Sequence, residues 1–260
     1  METLKIAALA AFQGVAEFLP ISSSGHLAIA ERWLGVDNPG SGLELLLHFG
    51  TLLAVIAFYR RRIILLALGL ALFVREAWRQ TGLLLLGCLP AVAAYALFKD
   101  FFESCAGRGV AFVGAMLLAT GAVLVSTRWA QKGRKGDVGV VEALLVGLAQ
   151  AVALLPGVSR SGSTIAAARH LGVEGRPAAD YSFLMSAVLL SGASLLAAVT
   201  NGAGSLGGVG PWTAAMAVAV SAVVGYFSLR LLIGVLSGRR FWLFGIYCLA
   251  AGMAAIVFGR

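Results

Sequence analysis

The sequence predicts an all-α polytopic membrane protein, a single integral-membrane domain over residues 1–260 with interleaved inverted-topology repeats. Two re-entrant helical hairpins and about six transmembrane helices complete that expectation. Three observations carry it. First, the chain is 60% hydrophobic and 12% charged, with a mean hydropathy of +0.91. A soluble domain usually carries about 25% charged residues to coat its surface. Second, a polar sequence occurs twice: QGVAEFLPISSSGH at 13–26 and QAVALLPGVSRSGST at 150–164. An offset of 137 lays Gln13 on Gln150, Ser22 on Ser159, Ser24 on Ser161, Gly25 on Gly162 and Arg32 on Arg169. It continues through Leu34 on Leu171, Gly35 on Gly172 and Val36 on Val173, so chance apolar coincidence is excluded. Third, Lys and Arg gather at Arg60-Arg61-Arg62, from Arg128 to Lys135, and at Arg239-Arg240. Such clusters mark the cytoplasmic ends of spans and contact anionic lipid, which accounts for the net charge of +8 without nucleic acid.

The elements follow in order. Crossing a bilayer takes ~20 apolar residues, and spans are expected at 43–59, 81–98, 110–127, 178–200, 212–236 and 241–258. Segments 3–18, 22–35, 63–76, 140–155 and 160–172 are too short or too polar to cross alone. Lys5 before an apolar run imitates a cleaved leader, but Glu2, Gln13 and Glu17 argue against cleavage. Cys88, Cys105 and Cys248 have neither metal spacing nor an evident pairing and are read as small apolar fillers.

With the basic clusters inside and the uncharged loop 201–210 outside, span 43–59 runs inward, so hairpin 1–35 begins and ends outside. Its copy, 137–172, begins and ends inside. Repeat 1 then covers about 1–127 and repeat 2 about 137–260. In inverted repeats, broken helices meet near the midplane and aim their N-termini at an ion or anion. The breaks are expected at Pro20 and Gly25 in one copy, and at Pro156-Gly157 and Gly162 in the other.

Glu17 lies in an apolar helix, where an ionised carboxylate is expensive unless paired or metal-bound, with Gln13 one turn earlier on the same face. Ser22-Ser23-Ser24-Gly25-His26 follows a proline and opens a new helix, where hydroxyls and free N–H groups attract phosphate. His26 can serve as acid, base or nucleophile. In the second copy Arg160 falls on the position of Ser23, and its planar fork suits phosphate oxygens. The alternative for Arg160 is an internal ion pair, with Glu17 the named partner. Ser159, Ser161, Gly162, Ser163 and Thr164 add hydroxyls and backbone at the same turn. His48 either supports the site or merely packs, and Glu44 lies near the outer surface. Gln150 is expected to hydrogen-bond across the repeat interface, and Asp180 to begin span 178–200. Arg169, His170 and Arg176 are expected to be solvated or lipid-facing at the inner boundary. Glu and His in one copy and Arg in the other suggest an enzyme rather than a symmetric transport path.

With QGVAEFLPISSSGH at 13–26, PGVSRSGST at 156–164 and ADYSFLMSA at 179–187, the chain resembles the undecaprenyl-diphosphate phosphatase family, also called the bacitracin-resistance BacA family. The resemblance covers essentially the whole chain. It implies hydrolysis of undecaprenyl diphosphate to the monophosphate and inorganic phosphate, which recycles the lipid carrier for cell-wall polymers. It places the protein in the bacterial cytoplasmic (inner) membrane, with the active site opening to the outer face. It assigns catalysis to Glu17, Ser23, His26 and Arg160; the residues at the two turns, Gln13, Ser22, Ser24, Gly25, Ser159, Ser161, Gly162 and Thr164, are read from their own chemistry as binding substrate. A divalent cation, Mg²⁺ or Ca²⁺, is implied at Glu17. The implied partners are the polyprenyl diphosphate, bilayer lipid and, for a homodimer, a second copy. Two positions depart from the family pattern: Gln13 stands where many members have Glu, and Val188 where a proline is common. A transporter or flippase for a lipid phosphate is the competing reading.

Overall fold

The computed structural model describes residues 2–34, 40–130, 133–201, 209–237 and 240–259. Gly35, Val36, Arg239, the Arg32 side chain and most of the loop 201–210 lie outside the described residues. Among the described residues, ten helices run α1 Glu2–Ala16, α2 Ser23–Leu34, α3 Gly40–Ala71, α4 Arg75–Ala106 and α5 Val110–Ser126. They continue as α6 Val140–Val152, α7 Arg160–His170, α8 Gly175–Asn201, α9 Pro211–Ser237 and α10 Leu243–Phe258.

Four of these are long and apolar enough to cross a membrane: 42–71, 75–106, 175–196 and 211–236. The other two expected spans form α5 and α10, of 17 and 16 residues, short of the ~20 that a full crossing takes. Segment 63–76 is not a separate piece. The apolar residues after Arg62 carry α3 on to Ala71, and the chain turns at Phe73, whose φ is 55°. Span 81–98 likewise lengthens into α4, and its expected end coincides with a kink at Phe98 (φ −127°, ψ 28°).

Short apolar helices bury themselves where glycines let backbones approach. On α5, a Cβ at Gly114 would stand 2.8 Å from the Gly252 carbonyl, and one at Gly121 would stand 2.9 Å from the Gly245 carbonyl. α10 therefore lies antiparallel on α5 along two glycine contacts. α1 packs on α9, while α6, the segment 137 positions after α1, packs on α4, the segment 137 positions before α9. Each short helical pair thus leans on a long helix from the other half of the chain.

One end of the bundle collects the basic stretches. Arg62 and Arg176 both bond Asp180, at 3.4 and 3.3 Å, and Tyr59 donates to the same carboxylate at 2.8 Å. Asp180 therefore sits one turn inside α8 rather than at its start, and Arg176 is paired. His170 meets Ser126 at 2.9 Å, Arg128 lies over the Trp242 ring at 5.0 Å, and Lys135 bridges to Val173. The three cysteines are free and buried.

Candidate active site

Two helix breaks face each other at the centre. α1 ends at Ala16, Pro20 denies the chain an N–H, and Ser22 takes a left-handed φ of 69° before α2 begins. Phe18, 1% exposed, anchors this turn edge-on against Phe183, which fixes the adjoining Glu17. The second break, 153–159, turns at Gly157, whose φ of +96° excludes most side chains. Thr120 of α5 staples it: its Oγ1 donates to the Gly157 carbonyl at 3.2 Å and accepts from the Ser159 N–H at 3.1 Å.

The breaks touch reciprocally. A Cβ on Gly25 would stand 3.3 Å from Gly157 Cα, and one on Gly162 would stand 3.2 Å from Pro20 Cβ. Gly25 and Gly162 are therefore not break points as expected. Both lie inside the first turns of α2 and α7, and their missing side chains admit the opposite break.

This contact places Arg160, the first residue of α7, against Glu17. The guanidinium Nη2 donates to Glu17 Oε1, the internal pair that the sequence left as an alternative. Ser23 Oγ donates to Glu17 Oε2 at 2.9 Å, and Gln13 Nε2 to the same oxygen at 3.0 Å. The carboxylate is 5% exposed and the Arg160 side chain 21%, so the pair is desolvated on the Glu side and reachable on the Arg side. His48 joins from α3. Its Nδ1 lies 3.2 Å from Gln13 Nε2 and 3.5 Å from Glu17 Oε2, and its Nε2 lies 3.7 Å from Glu44 Oε1. His48 thus supports the site rather than merely packing.

Other expected residues fall differently. Ser159 Oγ caps α7 by accepting from the Gly162 N–H at 3.1 Å. Thr164 donates to the Arg160 carbonyl at 2.8 Å and meets Ser182 at 2.6 Å, while Ser161 reaches the Leu19 carbonyl at 3.5 Å. These three are buried, with hydroxyls engaged inside the protein. Ser24 is exposed, and Ser22 is buried with its hydroxyl unpartnered. His26 is not in the Glu17 cluster. Its nitrogens go to the Ser22 carbonyl (3.1 Å) and the Tyr247 hydroxyl (2.8 Å). Gln150, expected to bond across the interface, is instead buried with neither amide atom partnered.

The model of the family described as "Bacitracin resistance protein BacA" matches residues 6–254. The chain belongs to that family. It is 38% identical to an undecaprenyl-diphosphatase of Rubrobacter xylanophilus, covering 99% of each chain. It is also 38% identical to one of Syntrophotalea carbinolica, over 97% of each. A third relative, the undecaprenyl-diphosphatase of Methanosphaera stadtmanae, shares 35% over 99% of this chain and 98% of its own. With four apolar helices of spanning length, this BacA-family chain is a multi-pass membrane protein.

The cation that the family resemblance implies can be tested against the donors present. Among the described residues no group of three or more His, Cys, Asp and Glu could cage a metal. Mg²⁺ does not need a cage, since it is commonly held by one or two carboxylates together with substrate phosphates. The BacA-family cluster supplies the Glu17 carboxylate and, beside it, Gln13 Oε1, a fully buried oxygen with no partner. Those two hard oxygens fit a phosphate-bound cation.

Thr120 and Tyr247 escaped the sequence reading. Thr120 is one hydroxyl in an apolar span, and Tyr247 an ordinary aromatic in another, so neither gave a local signal.

Proposed function

We propose that this chain hydrolyses undecaprenyl diphosphate to undecaprenyl phosphate and inorganic phosphate at the Glu17–Arg160 pair. The observation that carries the reading is the pair itself, seated at the meeting of two helix breaks, in a chain matched end to end by undecaprenyl-diphosphatases. Arg160, with its exposed side, releases Glu17 and takes the terminal phosphate as a bidentate partner. N–H groups of the first turn of α2 add positive potential to the same phosphate.

Ser23, already donating to Glu17, is the nucleophile–base arrangement. Its Oγ attacks the terminal phosphorus while its proton passes to Glu17. The bond from that phosphorus to the bridging oxygen breaks, and undecaprenyl phosphate leaves with the electron pair. Water then displaces Ser23 from phosphorus, giving its proton to His26 Nε2, and Glu17 returns a proton to Oγ. Positioning and charge neutralisation lower the barrier, as in other phosphoryl transfers. A divalent cation held by Glu17 and Gln13 Oε1 would neutralise phosphate charge. Ser159, Ser161, Thr164 and Gly162 act beneath the site, holding α7 so that Arg160 points at the phosphate.

The finer architecture in this reading is a pair of interleaved inverted repeats whose α1–α2 and α6–α7 hairpins re-enter from opposite faces. The reciprocal glycine contacts and the exchanged packing of α1 on α9 and α6 on α4 support it. The membrane in this reading is the bacterial inner membrane. The gathered basic ends favour a cytoplasmic face there, and His48 lies 12 residues before Arg60 on α3, about 18 Å away toward the outer face.

The test is phosphate release from undecaprenyl diphosphate by purified protein in detergent with Mg²⁺ or Ca²⁺. Wild type releases phosphate, chelation stops it, and Glu17→Ala and Arg160→Ala each abolish it. Wild type that releases none, yet moves the lipid monophosphate across proteoliposomes, would establish the transporter reading instead.

A further inference from the structure

His26 is held more tightly than a histidine that merely packs. Its Nδ1 lies 3.1 Å from the Ser22 carbonyl, which can only accept, so Nδ1 carries the proton and Nε2 the lone pair. Nε2 in turn lies 2.8 Å from the Tyr247 hydroxyl, which must then donate to it. The Tyr247 ring stacks on the imidazole with centroids 5.6 Å apart and planes 18° from parallel. Phe12 lies near the imidazole as well, with centroids 6.1 Å apart. Two hydrogen bonds and two aromatic neighbours hold the imidazole in this orientation.

Tyr247 is itself fixed. The next residue, Cys248, is fully buried and donates its thiol to the Pro20 carbonyl at 3.4 Å, so α10 is tied to the first helix break beside the phenol. The other tyrosines with bonded hydroxyls serve the scaffold: Tyr181 donates to the Leu83 carbonyl at 2.7 Å and Tyr59 to Asp180 at 2.8 Å. Tyr247, 46% exposed, gives its only donor to the one free nitrogen of His26, across 221 residues of sequence. His26 stands three positions after Ser23 on α2, so both side chains share one helix face.

Resting on the phosphatase reading, we propose that Tyr247 is the positioning residue of His26. It holds Nε2, rather than Nδ1, toward the mouth of the site as the nitrogen offered to the diphosphate and its attacking water. A neutral imidazole anchored through Nδ1–H to a carbonyl presents its other nitrogen in one direction. The phenol selects that direction and gives way when the ligand arrives.

The test uses the full-length protein in detergent and the variant Tyr247→Phe, which keeps the ring and removes only the hydroxyl. Losing one oriented hydrogen bond is expected to lower kcat by about tenfold and leave KM within about twofold. The chain has three histidines, so ¹⁵N-histidine spectra assigned with His26→Gln read the second arm. In wild type the His26 signals show one tautomer, protonated at Nδ1, and in Tyr247→Phe the Nε2 signal shifts and broadens. Wild-type kcat together with an unchanged His26 spectrum in Tyr247→Phe overturns the proposal while leaving the phosphatase reading intact. A rise in KM alone also overturns it, since Tyr247 would then bind substrate rather than orient His26. If wild type itself releases no phosphate, the phosphatase reading fails, and an unchanged His26 spectrum would still count separately against the Tyr247 contact.

Discussion

The Arg160–Glu17 pair joins the two halves of the chain, so it sets a measurable balance between stability and activity. Arg160→Gln leaves the Glu17 carboxylate, 5% exposed, with only neutral donors and His48 around it. Breaking a buried pair by removing one partner costs about 3–5 kcal/mol. Ser23 and Gln13 still hydrogen-bond the stranded carboxylate, so the expected loss is at the low end, about 3 kcal/mol. For a chain of this length each kcal/mol moves the melting midpoint by roughly 2–4 °C, so the variant should melt about 6–12 °C early. Glu17→Gln strands Arg160 instead, but that side chain is 21% exposed and can turn to water, so the loss should be nearer 1 kcal/mol. The double variant Glu17→Gln/Arg160→Gln removes the stranded charge and should recover most of the stability lost in Arg160→Gln. All three should be inactive. The assay is thermal unfolding in detergent followed by intrinsic fluorescence, with phosphate release measured on the same preparations. The four midpoints form a double-mutant cycle. A double variant that loses the sum of the two single losses, about 4 kcal/mol, giving a coupling near zero, would refute the claim that this pair fastens the two breaks together.

Three further outcomes follow from the geometry. Gly157→Ala forces a Cβ to 2.6 Å from the Val113 carbonyl at a φ of +96°, and should destabilise by about 2 kcal/mol or more on the same melting assay. His48→Gln keeps a polar atom beside Gln13 and Glu17 and should retain most of the phosphate release, whereas His48→Leu should lower kcat by about tenfold or more, read by steady-state kinetics. Ser159→Ala removes the α7 cap and Ser23→Ala strips a donor from Glu17, so each should lower stability by about 1 kcal/mol, but Ser23→Ala should also lower kcat by at least about a hundredfold, by paired melting and kinetics.

What could be read in advance follows the range of the physics involved. Helices announce themselves locally, through apolar runs and breakers, so all six expected spans correspond to helices. Their lengths were harder, because the apolar residues after Arg62 let α3 continue where the charge rule suggests a stop. Glu17 with Gln13 was legible because a carboxylate in an apolar helix needs partners, and four-residue spacing puts them on one face. Arg160 was legible through the repeat offset. Pairwise geometry across the chain was not. The sequence gives no sign that His26 turns to Tyr247, that Thr120 staples the second break, or that Ser159 and Thr164 point inward. Those outcomes depend on which helices cross, and the crossings rest on close glycine contacts between distant segments, Gly114 and Gly121 of α5 on α10 and Gly14 of α1 on α9 among them.

The divergence of the two polar segments explains why the two facing breaks share one Glu–Arg pair rather than each carrying its own. At the offset of 137, Glu17 corresponds to Leu154, His48 to Met185 and Ser23 to Arg160, while Gln13 and Gln150 stay alike. Two carboxylates at the facing breaks would repel one another in a poorly solvated interior, and two arginines would do the same. One Glu and one Arg neutralise each other until an anion arrives. The retained Gln150 shows the other side of this exchange. With Leu154 and Met185 where its counterpart has Glu17 and His48, it is buried and both amide atoms lack partners. A buried amide without partners costs about 1–3 kcal/mol, so Gln150→Leu should raise the melting midpoint, whereas Gln13→Leu, which strips a donor from Glu17, should lower it. Equal shifts in the same direction would mean that the two glutamines still do the same work. The reasoning from divergence would then fail.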